Sequence, residues 1–152
     1  MPRSEIKQTI YQDLLSATAL VGILGPVVPN NARIYNTHPM TTPQLSGVEA
    51  DEGWLVFYEP DTVVYWDTVQ QHAYFDFVTT GTRLSIGDDV IDVLDQLYHW
   101  KLAGQNGRLF GEWRVIRSQR TWCGEVYDSS RKLYIKTARY KFYISGVRTV
   151  TV

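Results

Sequence analysis

Cysteine is nearly absent from this chain: Cys123 stands alone among 152 residues. An internal disulfide is therefore excluded, and the lone thiol makes no metal cluster by itself. A reducing, cytosolic site of synthesis is the default expectation. Histidine is almost as sparse. His38, His72 and His99 lie far apart, none at ligand spacing from a carboxylate or from Cys123, so no metal site is expected. No apolar run approaches the roughly 18 residues needed to span a bilayer, so no membrane partner is expected. The opening MPRSEIKQTIYQ lacks a continuous apolar core and a small-residue cleavage site, and no signal peptide is read there. Chemistry-bearing motifs are missing as well. GQNGRLFG (104–111) has glycines but no Gly-Lys-Ser/Thr, and it follows a helix instead of opening one. No Gly-x-Ser-x-Gly elbow occurs. No catalytic residue and no cofactor is expected, and the protein is read as a non-enzyme.

What is present fits an ordinary globular chain: 44% hydrophobic and 20% charged residues. The length suits one domain, 1–152, with a core of useful size. The net charge of −1 conceals a polarity. Residues 1–107 hold 5 Lys/Arg against 13 Asp/Glu, and residues 108–152 hold 10 against 3. Three readings stay open. The basic part can bind nucleic acid; the two charge sets can join neighbouring subunits head to tail; or they can face each other within one fold.

Along the chain, Ile6, Ile10, Leu14, Ala17 and Val21 keep helical spacing behind a possible Ser4 cap, and Gly22, Gly25 and Pro26 end the run. The tract 25–53 is long and proline-rich, with only ARIYN (32–36) resembling a strand. Such a loop is uncommon inside a domain and marks a site of partner contact or disorder. WLVFYE (54–59) reads as a buried strand, and HAYFDFVTT (72–80) alternates with Ala73, Phe75 and Phe77 on one side. The next helix is strongly amphipathic. Ile86, Val90, Val93, Leu94 and Leu97 form its apolar stripe, Asp88, Asp92 and Asp95 its wet face, and Ser85 with Asp88 fits a capping box. Gly104 is expected to close it. The acids, with Asp89, read as a solvated helix face before they read as paired catalytic carboxylates.

Two long strands finish the chain, RLFGEWRVIRSQRTW (108–122) and RKLYIKTARYKFYISG (131–146), joined around CGEVYDSS (123–130). The expected fold is α+β: a mostly antiparallel four-stranded sheet, two helices on one face, and a long loop on the N-terminal side. The last strand has a phase conflict. Leu133 and Ile135 put its apolar face on odd numbers, Tyr140, Phe142 and Ile144 on even ones. A β-bulge near Thr137–Ala138 would reconcile them and gather Lys132, Lys136, Arg139 and Lys141 on one face. That basic face then serves as a subunit interface or a channel wall.

In layout the chain resembles the tail-terminator, or tail-completion, proteins of long-tailed bacteriophages. The resemblance rests on IKQTIYQDLLSATALVGILG with its Gly-rich stop, the short strand ARIYN, the strands WLVFYE and HAYFDFVTT, the helix SIGDDVIDVLDQLYHW and the closing hairpin. It covers essentially the whole chain, although the length of 25–53 and the segment 61–66 depart from the pattern. It implies a structural virion protein located in the tail or neck and assembled in the host cytoplasm. Such proteins form a ring, usually a homohexamer, that caps the tail tube, stops its polymerisation and offers the docking surface for the head–tail connector. The implied partners are other copies of the chain, the tail-tube protein, the connector, and DNA passing through the channel without sequence-specific binding. A closed ring needs two different patches per subunit; Asp88, Asp92 and Asp95 against Lys136, Arg139 and Lys141 are the candidates. The alternatives are a head-completion or neck protein and, in a different class, a nucleic-acid-binding module using the basic hairpin.

Overall fold

The computed structural model describes residues 2–24, 34–36, 53–59, 70–99, 107–111 and 113–145. Among these, the helices are α1 (Pro2–Ser16), α2 (Thr18–Leu24) and α3 (Leu84–Tyr98). The strands are β1 (Ile34–Asn36), β2 (Trp54–Tyr58), β3 (Gln70–Gly81), β4 (Arg108–Phe110), β5 (Trp113–Asp128) and β6 (Leu133–Ser145). They form one six-stranded sheet in the order β1-β2-β3-β6-β5-β4, curled as a half-barrel. The β1–β2 pair is parallel and every other pair antiparallel. The expected class, α+β, holds, but the four-stranded sheet does not: the sheet has six strands and is mixed. The two extra strands are only three residues each, too short to show a period of two. The expected long strand 108–122 breaks at Gly111, whose positive φ of 64° turns β4 back on β5.

One face of the sheet carries the helices. Ile6, Ile10 and Leu14 of α1 are fully buried, as their spacing requires. The single helix expected through Val21 is interrupted at Ala17, whose N–H is shared between the carbonyls of Asp13 and Leu14. The interruption shifts the apolar phase by one residue, so Leu20 and Leu24 enter the core and Val21 is only half-buried. In α3, Ile86, Val90, Ile91, Leu94 and Tyr98 are buried, with Val93 and Leu97 packed beside them. The capping box is not formed. Arg83 holds the N-cap position without a side-chain cap bond, and Ser85 lies inside the helix, exposed. The helix stops at Tyr98, well before Gly104, which lies outside the described residues, as does most of 25–53. Ile86 seats the start of α3 tightly because Gly81 has no side chain; a Cβ there would lie 2.9 Å from Ile86 Cδ1. Beneath the helices runs an aromatic core, Phe57, Phe75, Phe77, Tyr98, Phe110, Tyr140 and Phe142, all essentially inaccessible. Each such side chain contributes about 1.5–3 kcal/mol through burial.

The phase conflict in β6 is resolved without a bulge in that strand. β6 pairs with β3 in one unbroken register, from Gln70↔Ser145 to Gly81↔Tyr134. Its even residues, Ala138, Tyr140, Phe142 and Ile144, face the helices. Its odd residues face the other way, where Leu133 joins Trp54 and Val56 in a second apolar cluster flanked by Tyr35 and Tyr58. Both faces of the strand therefore bear apolar residues, and no extra residue is needed to reconcile them. The irregularities sit instead in β5, between Val115 and Arg117 and between Arg120 and Trp122. The expected turn at 123–130 also moves: β5 continues to Asp128, and the chain reverses over 129–132.

Candidate interaction surfaces

The straight β6 separates the four cations that a bulge would have gathered. Lys136 faces the helices and forms an ion pair with Asp88 of α3, which raises its pKa. Arg139 and Lys141 point to the opposite face. Lys132 lies exposed in the turn, in a left-handed conformation with φ 56°. Of the acids, Asp95 accepts bonds from the Tyr140 hydroxyl and the Arg120 guanidinium, each 2.6 Å. Burial first, then Asp95, pushes the Tyr140 hydroxyl far above the ordinary tyrosine range. Asp92 remains exposed on the outer side of α3 beside Asp89. Much of the charge polarity is thus consumed within the chain itself, through Asp88–Lys136 and Asp95–Arg120. A third acid, Asp13, ties α1 to α3 and β4 by accepting bonds from Tyr98 (2.8 Å) and Arg108 (2.5 Å).

The face away from the helices is organised in cross-strand rows. Register aligns Trp54, Thr80, Ile135 and Val126, and next to them Val56, Val78, Thr137 and Gly124. The following row is Tyr58, Asp76, Arg139 and Trp122, then Tyr74, Lys141 and Gln119, then His72, Tyr143 and Arg117. No helical residue belongs to the apolar cluster on this side. The face is therefore apolar at the hairpin end and cationic at the other. Between the two ends, Arg139 grips Asp76 through both carboxylate oxygens, at 2.7 and 3.0 Å.

At the cationic end, Tyr143 lies between two charges. The Arg117 guanidinium sits 4.0 Å from its ring centre and the Lys141 ammonium 4.6 Å. Gln119 donates to its hydroxyl at 3.3 Å, His72 meets the ring edge-on at 4.9 Å, and Tyr74 flanks Lys141 at 5.6 Å. Burial works to raise the Tyr143 pKa, but the two cations outweigh it and hold the hydroxyl below its ordinary value. The described acids of this face are Asp76 and Asp128, already engaged by Arg139 and Arg131. What remains is a positive, aromatic surface opposite a helix whose outer side is acidic: two unlike patches on two sides of the molecule.

No protein-family model matches the chain, and no curated protein matches it. Among solved structures, it is similar to a chain of the virion of native gene transfer agent (GTA) particle, at 13% identity and a TM-score of 0.62. The match covers 92% of this chain and 94% of that chain. What is shared is the fold.

Arg117, Gln119, Tyr74 and Tyr143 were not readable as one cluster from the sequence. Their meeting depends on the shift at Ile116, which brings Arg117 opposite Tyr143. The hairpin turn, by contrast, carries a local signal. Asp128 accepts bonds from the N–H groups of Ser130 (3.1 Å) and Arg131 (3.2 Å), the Ser130 hydroxyl (2.7 Å) and Arg131 Nε (2.8 Å). The Arg131 and Ser130 bonds hold its carboxyl well below the usual value of 3.8. A depressed folded-state pKa contributes stability above the unfolded value and loses it as pH falls toward the folded one. The Asp128 carboxyl carbon is therefore expected to report the ionised form in NMR at pH 3.8. Half-titration at that pH would contradict the assignment.

Proposed function

We propose that this protein is a structural virion component, a tail terminator whose ring of subunits, most simply six, caps the tail tube and offers a docking surface to the head–tail connector. The observation that carries the reading is the fold shared, over nearly the full length of both chains, with a chain of a gene transfer agent virion. The sequence layout, similar to tail-terminator proteins, supports it independently. So does the surface chemistry. A closed ring needs two unlike patches per subunit, and the exposed acids Asp89 and Asp92 lie across the sheet from Arg117 and Lys141. In this reading the acidic helix side of one copy meets the cationic sheet face of the next, and DNA passes through the ring without base readout.

Deletion of the gene from its parent particle, followed by negative-stain imaging, tests the proposal. Overgrown tubes lacking heads, restored to fixed length by a supplied copy, are the expected result. Tails of fixed length that fail to join heads would instead assign a neck or head-completion role. Tails of fixed length joined to heads would overturn both.

A further inference from the structure

We infer that β5 pairs edge to edge with β5 of a second copy, antiparallel about a two-fold axis at Gly124. Among the described residues, β4 pairs with β5 at 113–115 and the His99 imidazole accepts the Arg120 N–H at 2.9 Å, which leaves 121–128 as the open edge. The irregularities near Ile116 and Thr121 twist β5 up to the start of that edge, a common safeguard against strand recruitment. The stretch 122–128 has no such guard; its register with β6 is regular to the turn. It also carries three large exposed apolar side chains: Trp122 (53% exposed), Val126 (64%) and Tyr127 (50%). A regular, apolar, unpaired edge calls for a strand partner.

The side-chain order selects the occupant and the register. With the axis at Gly124, Trp122 of each copy lies opposite Val126 of the other on the same face of the sheet. Cross-strand pairs of this kind are stabilising. An axis at Glu125 would set that carboxylate against its own copy, and an axis at Cys123 would set Trp122 against Gly124 and leave Val126 without its apolar partner. Gly124 suits the axis because it brings no side chain. The Trp122 indole already lies over it, so that a Cβ there would sit 2.5 Å from the ring. Two indoles would thus meet across the axis. The pair is independent of the proposed ring, whose contact is head to tail; it occupies an edge that would otherwise recruit foreign strands.

Cys123, the single cysteine, provides the test. In this register the two Cys123 side chains are diagonal neighbours, about 7–8 Å apart. A short bis-maleimide should therefore link two wild-type chains covalently, and Cys123→Ser should abolish the link. Val126→Lys, at an exposed position that leaves the fold intact, should lower the dimer yield roughly tenfold or more, because the change counts twice across the axis. A wild-type chain that stays uncrosslinked at high concentration would overturn the inference. So would a crosslink that survives Val126→Lys. A ring whose Cys123 residues do not crosslink would overturn it while leaving the tail-terminator reading intact.

Discussion

Replacing Arg139 with methionine is expected to lower the unfolding free energy by about 3 kcal/mol, because it strands the Asp76 carboxylate without its cation. Asp76 is only 4% exposed and sits mid-strand in β3, directly opposite Arg139 of β6. Its two oxygens take both arms of the guanidinium fork. Beside it, the Tyr58 hydroxyl, its pKa raised by burial and then by the same carboxylate, hydrogen-bonds to Asp76 but supplies no charge to replace the guanidinium. Removing one member of such a pair costs about 3–5 kcal/mol when both are buried; Arg139 is about one-third exposed, which places the loss at the lower end. The double variant Asp76→Asn/Arg139→Met should recover a large part of the loss, since the pair as a whole is worth far less than the penalty for orphaning one charge. Urea unfolding followed by tryptophan fluorescence reads this as a shift in midpoint at constant slope. A loss below about 1 kcal/mol would mean that water already solvates Asp76 and that the pair is a surface one.

That pair also shows what the sequence could and could not convey. Alternation in β3 is visible because Ala73, Phe75 and Phe77 share one face, and the apolar stripe of α3 follows its helical period. Those regularities are local. In β6 the same rule misleads: Leu133 and Tyr140 are both buried, but in different clusters on opposite faces of the sheet. A period of two cannot distinguish a strand that bulges from one that changes which face it buries. The choice depends on β2, whose Trp54 and Val56 supply the second cluster from far away in sequence. The same long-range dependence hid the site. Acids on α3 and bases on β6 were legible as charges, but whether they join two subunits or one depends on the register that sets Lys136 against Asp88. Arg117 reaches Tyr143 only because β5 takes up an extra residue just before it.

Phe142→Ala is expected to be the most damaging single change considered, at about 4 kcal/mol, whereas Tyr143→Ala next to it should cost about 1 kcal/mol. The two residues point to opposite faces of one straight strand. Phe142 is inaccessible and touches Phe75, Tyr98 and Phe110, with ring centres 5.4, 5.3 and 5.8 Å away. These partners come from β3, α3 and β4, so the cavity opens where the helices meet the sheet, and the surrounding rings can only partly collapse into it. Tyr143 lies on the far face, and its loss chiefly removes the contacts with Arg117 and Lys141. Hydrogen exchange separates the two outcomes further. The void left by Phe142 lies beneath Tyr98, whose hydroxyl bonds to Asp13 and so holds α1 to α3. Exchange should therefore accelerate in α1 and α3 of the Phe142→Ala variant, and protection of the helices should be unchanged in Tyr143→Ala. Equal losses for the two variants would mean that β6 does not keep one phase. The cations of the sheet face would then not share a side, and the two unlike patches on which the proposed ring depends would disappear with them.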